Sequence, residues 1–167
     1  LNLKSGDEVI LPAFTYAATA EVVLLLGLTP VLADVNADSF NIDTAQISSL
    51  ISEKTKAVMP VHLFGQSAEM NEIISIATKY GLRIIEDNAQ ALGAKYLMEN
   101  GAQKSCGTMG DIGCTSFFPS KNLGCYGDGG ALFTQDEDFA DALRMIANHG
   151  QRVKYRHDVI GCNSRLD

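Results

Sequence analysis

The chain has 167 residues, a formal net charge of −7, 46% hydrophobic residues and 20% charged ones. That length suits one domain with a buried core, and the composition excludes a disordered segment. The acidic balance argues against nucleic acid as a main partner, because phosphate neutralisation needs clustered Lys and Arg, and no apolar run nears the roughly 20 residues that span a bilayer.

In chain order, short apolar strands alternate with helix-like stretches. Glu8 to Pro12 reads as a buried strand. Tyr16 to Leu26, rich in Ala and Leu and closed by Gly27, reads as a helix. Thr29 to Val35 is a second strand, and Asp43 to Glu53 a helix with Asp43 as its N-cap. Lys56 to Val61 is a strand, Ala68 to Tyr80 a helix stopped by Gly81, and Leu82 to Glu86 a strand of nearly all apolar residues. Tyr96 to Met109 is polar and reads as a surface excursion. Asp111 to Phe118 and Gly130 to Thr134 read as strands joined through a Gly-rich turn, Gly124 to Gly130. Asp136 to Asn148 is a helix whose acidic first turn suits the helix dipole, and Gln151 to Asp167 has no period and reads as loop.

This alternation predicts an α/β fold, a mostly parallel sheet covered by helices on both faces. Ligands bind such sheets outside the carboxyl ends of the strands. The residues to examine are therefore Phe14-Thr15-Tyr16, His62, Asp87 to Gln90, and Ser116 to Lys121.

Lys121 stands in Ser-Phe-Phe-Pro-Ser-Lys-Asn-Leu-Gly, directly after an apolar strand. A lysine in a partly desolvated pocket becomes an amine nucleophile for Schiff-base chemistry, whereas one on a solvated turn stays an ordinary cation. Asp87 follows a strand and is placed either to reach a ligand or to cap a helix. Tyr16 offers a flat face for stacking, although core packing is the commoner fate of a single Tyr. Ser116 and Ser120 carry hydroxyls that suit a phosphate. The turn Gly124 to Gly130 lacks the order of a P-loop and reads as a tight connection close to Lys121. His62 is a possible ligand or acid–base group, but His149 and His157 are the only other histidines and H-E-x-x-H is absent, so no metal site is expected. No G-x-S-x-G is present, which argues against a serine hydrolase of the α/β type. The cysteines Cys106, Cys114, Cys125 and Cys162 form no C-x-x-C pair and read as reduced thiols of a cytoplasmic protein.

The order of six stretches resembles the DegT/DnrJ/EryC1/StrS family of sugar aminotransferases that depend on pyridoxal 5'-phosphate (PLP). They are Gly6 to Tyr16, Thr29 to Val35, Pro60 to Gln66, Ile85 to Ala94, Ser116 to Gly130, and Gly161 to Asp167. The resemblance implies the fold-type I, aspartate-aminotransferase-like large domain. It implies that Lys121 carries the cofactor and later shuttles a proton, and that Asp87 pairs with the ring nitrogen. Tyr16 would stack on the ring, Gln90 would contact its phenolic oxygen, and Ser116 would bind the phosphate. Asn163 would reach the phosphate of a neighbouring subunit's cofactor, which implies a homodimer with a shared site. Within the family, Ser-Phe-Phe-Pro-Ser-Lys, Gly-Cys-Tyr-Gly-Asp-Gly-Gly and Asn-Ser-Arg-Leu-Asp look most like the enzymes that aminate C3 of UDP-linked 3-keto-hexuronic acids in bacterial surface-polysaccharide synthesis. Arg165 would then pair with the sugar carboxylate, which its fork matches bidentately; a structural ion pair with Asp167 or another local acid is the alternative.

The implied reaction is transamination of a nucleotide-linked keto-sugar with L-glutamate as amino donor. A dehydratase of the same fold is one alternative, but that branch carries histidine at the position of Lys121. A non-catalytic or regulatory module is another. Residues 1–167 are expected to be the central part of the PLP-binding large domain, without the family's upstream phosphate-cradling segment and its C-terminal small domain.

Overall fold

A computed structural model describes residues 1–164 and 166. Its centre is a six-stranded sheet in the order β2-β1-β3-β4-β7-β8. These strands are β1 (Glu8–Pro12), β2 (Thr29–Ala33), β3 (Thr55–Val58), β4 (Arg83–Asp87), β7 (Ile112–Ser116) and β8 (Gly130–Phe133). Every neighbouring pair is parallel except β7 and β8, which run antiparallel. Two small hairpins complete the strands: β5 (Lys95–Leu97) with β6 (Gln103–Ser105), and β9 (Gln151–Val153) with β10 (Arg156–His157).

Alternation along β1 divides the core in two. Ile10 packs with Ile47 of α2 (Thr44–Leu50) and with Met70, Ile73 and Ala77 of α3 (Met70–Tyr80). Val9 and Leu11 point the other way, onto Val23 of α1 (Ala18–Leu25). The spacing of Met70, Ile73 and Ala77 is the inward stripe of an amphipathic helix, and Gly81 ends α3 in the left-handed conformation at φ 67°. Asp43 caps α2 by accepting from the Ala45 N–H, and Asp136 caps α4 (Glu137–Ile146) by accepting from the Phe139 N–H.

The chain leaves β1 for β2 on one side and then crosses to β3 on the other. Because α1 covers one face and α2 the opposite one, a crevice opens between the carboxyl ends of β1 and β3.

Several boundaries differ from expectation. The first helix starts at Ala18, not Tyr16, and β2 ends at Ala33, not Val35. α2 stops at Leu50 rather than Glu53, because Ser52 and Thr55 turn to donate their hydroxyls to the Glu8 carboxylate at 2.5 and 3.0 Å. Tyr96 to Met109 is not a plain excursion, since it contains the β5–β6 hairpin. Gln151 to Asp167, expected as loop, holds the β9–β10 hairpin. Among the described residues no helix is long and apolar enough to cross a membrane.

Candidate functional site

The carboxyl ends of β1, β3, β4 and β7 meet around a cleft of about 400 Å³, within the roughly 300–1,000 Å³ common for small-molecule sites. Tyr16, Asp87, Gln90, Ser116 and Lys121 all line it, and so does Ser120. Tyr16 is 77% exposed, so core packing is not its fate and its ring is available to a ligand.

Asp87 is the last residue of β4. Its backbone is clamped by the segment after β3, the N–H donating to Pro60 O at 2.9 Å and the carbonyl accepting from His62 N–H at 3.0 Å. Its carboxylate Oδ2 accepts from Thr19 Oγ1 at 2.8 Å, and Oδ1 from Ala89 N–H at 3.1 Å. The element that follows is β5, so Asp87 caps no helix.

Gln90 is oriented by Phe64, whose N–H donates to its Oε1 at 2.8 Å. That contact assigns the oxygen and leaves the amide nitrogen as the donor for the cleft. Phe64 adopts φ 54° to make it, a conformation that few non-glycine residues take. Phe14 packs against both Phe40 and Phe64, with ring centroids 5.7 and 6.4 Å apart, and so ties together the loops that follow β1, β2 and β3.

Lys121 rides on the segment that joins β7 to β8, whose ends Ser116 and Gly130 pair directly across the sheet. The segment is closed internally. Phe117 N–H donates to Gly129 O, Cys125 N–H to Phe117 O, and Lys121 N–H to Phe118 O, each at 2.8 Å. The Cys125 thiol lies 3.0 Å from Phe117 O and 2.9 Å from Gly127 O. Gly124 is required for the closure, since a Cβ there would overlap the Pro119 carbonyl. Ser116 Oγ accepts from Phe118 N–H at 3.2 Å, which leaves its own hydrogen for the cleft. Lys121 is half-buried, and among the described residues no carboxylate lies within ion-pair distance of it.

Asn163, expected at the cofactor of a neighbouring subunit, does not line this cleft; it is exposed and paired with Asn148 in an isolated bridge. Arg165 lies outside the described residues. His62 is not free for a ligand: it is fully buried, its Nδ1 accepts from Ala68 N–H at 3.1 Å, and its Nε2 sits 2.9 Å from Glu86. An Nδ1 that accepts leaves the proton on Nε2, so His62 is the neutral tautomer donating to Glu86.

Thr15 lines the cleft, as its place after β1 suggested, and three residues had no place in the sequence reading. Thr19 lines the cleft beside Asp87, and Asp128 adds a second carboxylate to its wall. Glu86 is fully buried behind the site. It accepts from His62 Nε2 at 2.9 Å and from the N–H groups of Gly107, Met109 and Gly110 at 2.7, 2.6 and 2.5 Å. Burial alone would raise its carboxyl, but the bonds from His62, Gly110 and Gly107 outweigh that and hold it below the ordinary value. Two acids in a row at the end of an apolar strand were the available signal: one faces the cleft and the other must find donors inside.

The donor set has a definite chemistry. A carboxylate held at two points, an amide donor, hydroxyls, an exposed aromatic face and an amine together suit a flat, protonated heteroaromatic ring that carries an oxygen and a phosphate. Among the described residues no group of three or more His, Cys, Asp or Glu is placed to hold a metal ion.

Comparison with known proteins gives the same picture. The model of the DegT/DnrJ/EryC1/StrS aminotransferase family matches residues 1–167. The chain is 51% identical over its whole length to a UDP-2-acetamido-2-deoxy-3-oxo-D-glucuronate aminotransferase of Pseudomonas aeruginosa, covering 45% of that protein. It is 52% identical over its whole length to a UDP-N-acetyl-3-dehydro-alpha-D-glucosamine 3-aminotransferase of Acidithiobacillus ferrooxidans, covering 44% of it. Among solved structures, NtdA of Bacillus subtilis with bound cofactor PMP superposes with a TM-score of 0.88 at 36% identity, over 99% of this chain and 37% of that one. The chain thus spans a little under half the length of the curated relatives it matches.

Proposed function

The chain belongs to the DegT/DnrJ/EryC1/StrS aminotransferase family, and on that premise we propose that the whole protein transfers an amino group from L-glutamate to a nucleotide-linked keto-sugar, using pyridoxal 5'-phosphate. The observation that carries this reading is the single cleft that sets Lys121 beside Asp87, Gln90, Tyr16 and Ser116. The fit of these residues to a protonated ring with an oxygen and a phosphate supports the cofactor, which when bound supplies the electron sink for a carbanion next to the transferred nitrogen.

The chain's own residues divide the remaining work. Lys121 would hold the cofactor through its side-chain amine and, when that amine is free, would carry a proton within the cleft. Asp87 presents a fixed negative charge to the ring nitrogen and keeps it protonated. Tyr16 covers one ring face, Gln90 donates its amide to the ring oxygen, and Ser116 donates its hydroxyl to the phosphate. Asn163 contributes to the phosphate site of a second copy, which makes the working form a homodimer. Residues 1–167 form the central part of the large domain. The free thiols of Cys106, Cys114, Cys125 and Cys162 support a cytoplasmic setting.

The two relatives above are named for UDP sugars oxidised at C3, one a uronate and the other not. The run Asn163-Ser164-Arg165 favours the uronate, with Arg165 as the partner of its carboxylate. The test is a PLP titration of the whole protein, followed by borohydride trapping and peptide mapping. The label is expected on Lys121. Lys121→Ala is expected to lose the visible absorbance of bound cofactor and amino transfer together. Retained turnover in that variant, or a label on another lysine, overturns the reading.

A further inference from the structure

Thr19 is 4% exposed in the first turn of α1, yet its hydroxyl leaves the helix and reaches Asp87, on a strand far along the chain. The directions of these bonds follow from chemistry. An ionised carboxylate only accepts, so Thr19 donates to Asp87 Oδ2 at 2.8 Å. Its single proton is then committed. At the 3.0 Å contact with Thr15 Oγ1, Thr19 must therefore accept, and Thr15 must donate. A one-way relay runs from Thr15 through Thr19 to Asp87.

Asp87 thus has one oxygen tied to α1 and the other to the Ala89 N–H. With both oxygens engaged, the carboxylate plane is fixed, and one lone pair on each oxygen remains for the cleft. Without Thr19 the Oδ2 edge would rotate about the side chain, held only by the turn at Ala89.

We propose that Thr19, backed by Thr15, is a positioning residue that fixes the Asp87 carboxylate against the ring nitrogen of the cofactor. This rests on the reading of the cleft as a PLP site. The hydroxyl, not the bulk, carries the effect, because Thr19 contributes a charge-assisted bond that an isosteric valine cannot make.

The experiment compares Thr19→Val, Thr19→Ser and Thr15→Val with the unaltered whole protein. One readout is the PLP dissociation constant. The other is the 15N resonance of ring-labelled PLP in the bound state, which reports whether the ring nitrogen is protonated. Thr19→Val is expected to weaken cofactor binding roughly tenfold, the size of one lost bond to a charged group, and to move the resonance toward unprotonated pyridine. Thr19→Ser restores both, and Thr15→Val shifts both in the same direction by less. Circular dichroism confirms that each variant is folded; should Thr19→Val fail to fold, Thr15→Val decides alone. Wild-type affinity and an unmoved resonance in the folded valine variants overturn the inference. Failure of the unaltered protein to be labelled at Lys121 overturns instead the reading on which it rests, so the two failures are distinct.

Discussion

Replacing Glu86 by Gln removes a single charge from the interior and keeps the shape, and the consequence can be worked out bond by bond. Oε2 accepts from His62 and Gly107, and Oε1 from Met109 and Gly110. A glutamine has one oxygen and one NH2, so whichever way it turns, two donors face a donor. His62 cannot rescue the pair by moving its proton, because Nδ1 already accepts from Ala68 N–H. Two bonds to a charged group are lost at roughly 1.5–3 kcal/mol each, or about 3–6 kcal/mol in all. Set against a total stability of about 5–15 kcal/mol, that is a large fraction. Urea unfolding followed by circular dichroism at pH 7 measures the difference. The charge also fixes the pH dependence. Glu86 titrates below its ordinary value of 4.5 in the fold. Its stabilisation is therefore fully present above the unfolded value and is lost as pH falls through the lower, folded one. The gap between wild type and Glu86→Gln is expected to be widest near neutrality and to narrow below about pH 4.5. A difference under about 1 kcal/mol at pH 7, or one that stays constant into acid, would refute this account of the buried carboxylate.

Other expectations are simpler to check. Gly124→Ala forces a Cβ into the Pro119 carbonyl; the crowding is expected to cost ~1–3 kcal/mol and to lower the yield of borohydride label at Lys121, and an unchanged yield would show that the loop closure is dispensable. Asp43→Ala removes the cap of α2 and should cost ~1 kcal/mol in thermal or urea unfolding, with no change in that yield. Burial pushes the Cys114 thiol up to about 11, with the charges of Asp87 and Glu86 adding to it. Near pH 8 the exposed Cys162 should therefore be alkylated well before Cys114, as followed by mass spectrometry; the reverse order would contradict the burial.

The strand–helix alternation announced the sheet, because β1, β3 and β4 are covered on both faces and so read as apolar runs. The cleft was legible for a related reason. Tyr16, Asp87, Gln90 and Ser116 each stand at or just after a strand end, where a doubly covered sheet presents its ligands. What escaped notice was small or local. Thr19 looks like an ordinary residue at a helix entrance, and nothing nearby in sequence points to Asp87, the partner that gives it its role. The β5–β6 hairpin is short and exposed, so no apolar period marks it, although Asn100-Gly101 between its strands is a turn signal. Glu86 passed as a strand residue because its partners, Gly107, Met109 and Gly110, lie beyond that hairpin.

The lysine-bearing segment departs from the sheet at Ser116 and rejoins it at Gly130, two residues that face each other across one antiparallel ladder. Its ends are therefore pinned by the scaffold, whatever lies between them. Such a segment is a cassette. Its length and composition can change, through insertion, deletion or exchange, without shifting the register of β7 and β8 or disturbing Asp87 one strand away. The amine and the carboxylate are thus carried on separable parts, and a frame of this kind lets the mouth of the cleft change while the wall that carries Asp87 stays as it is.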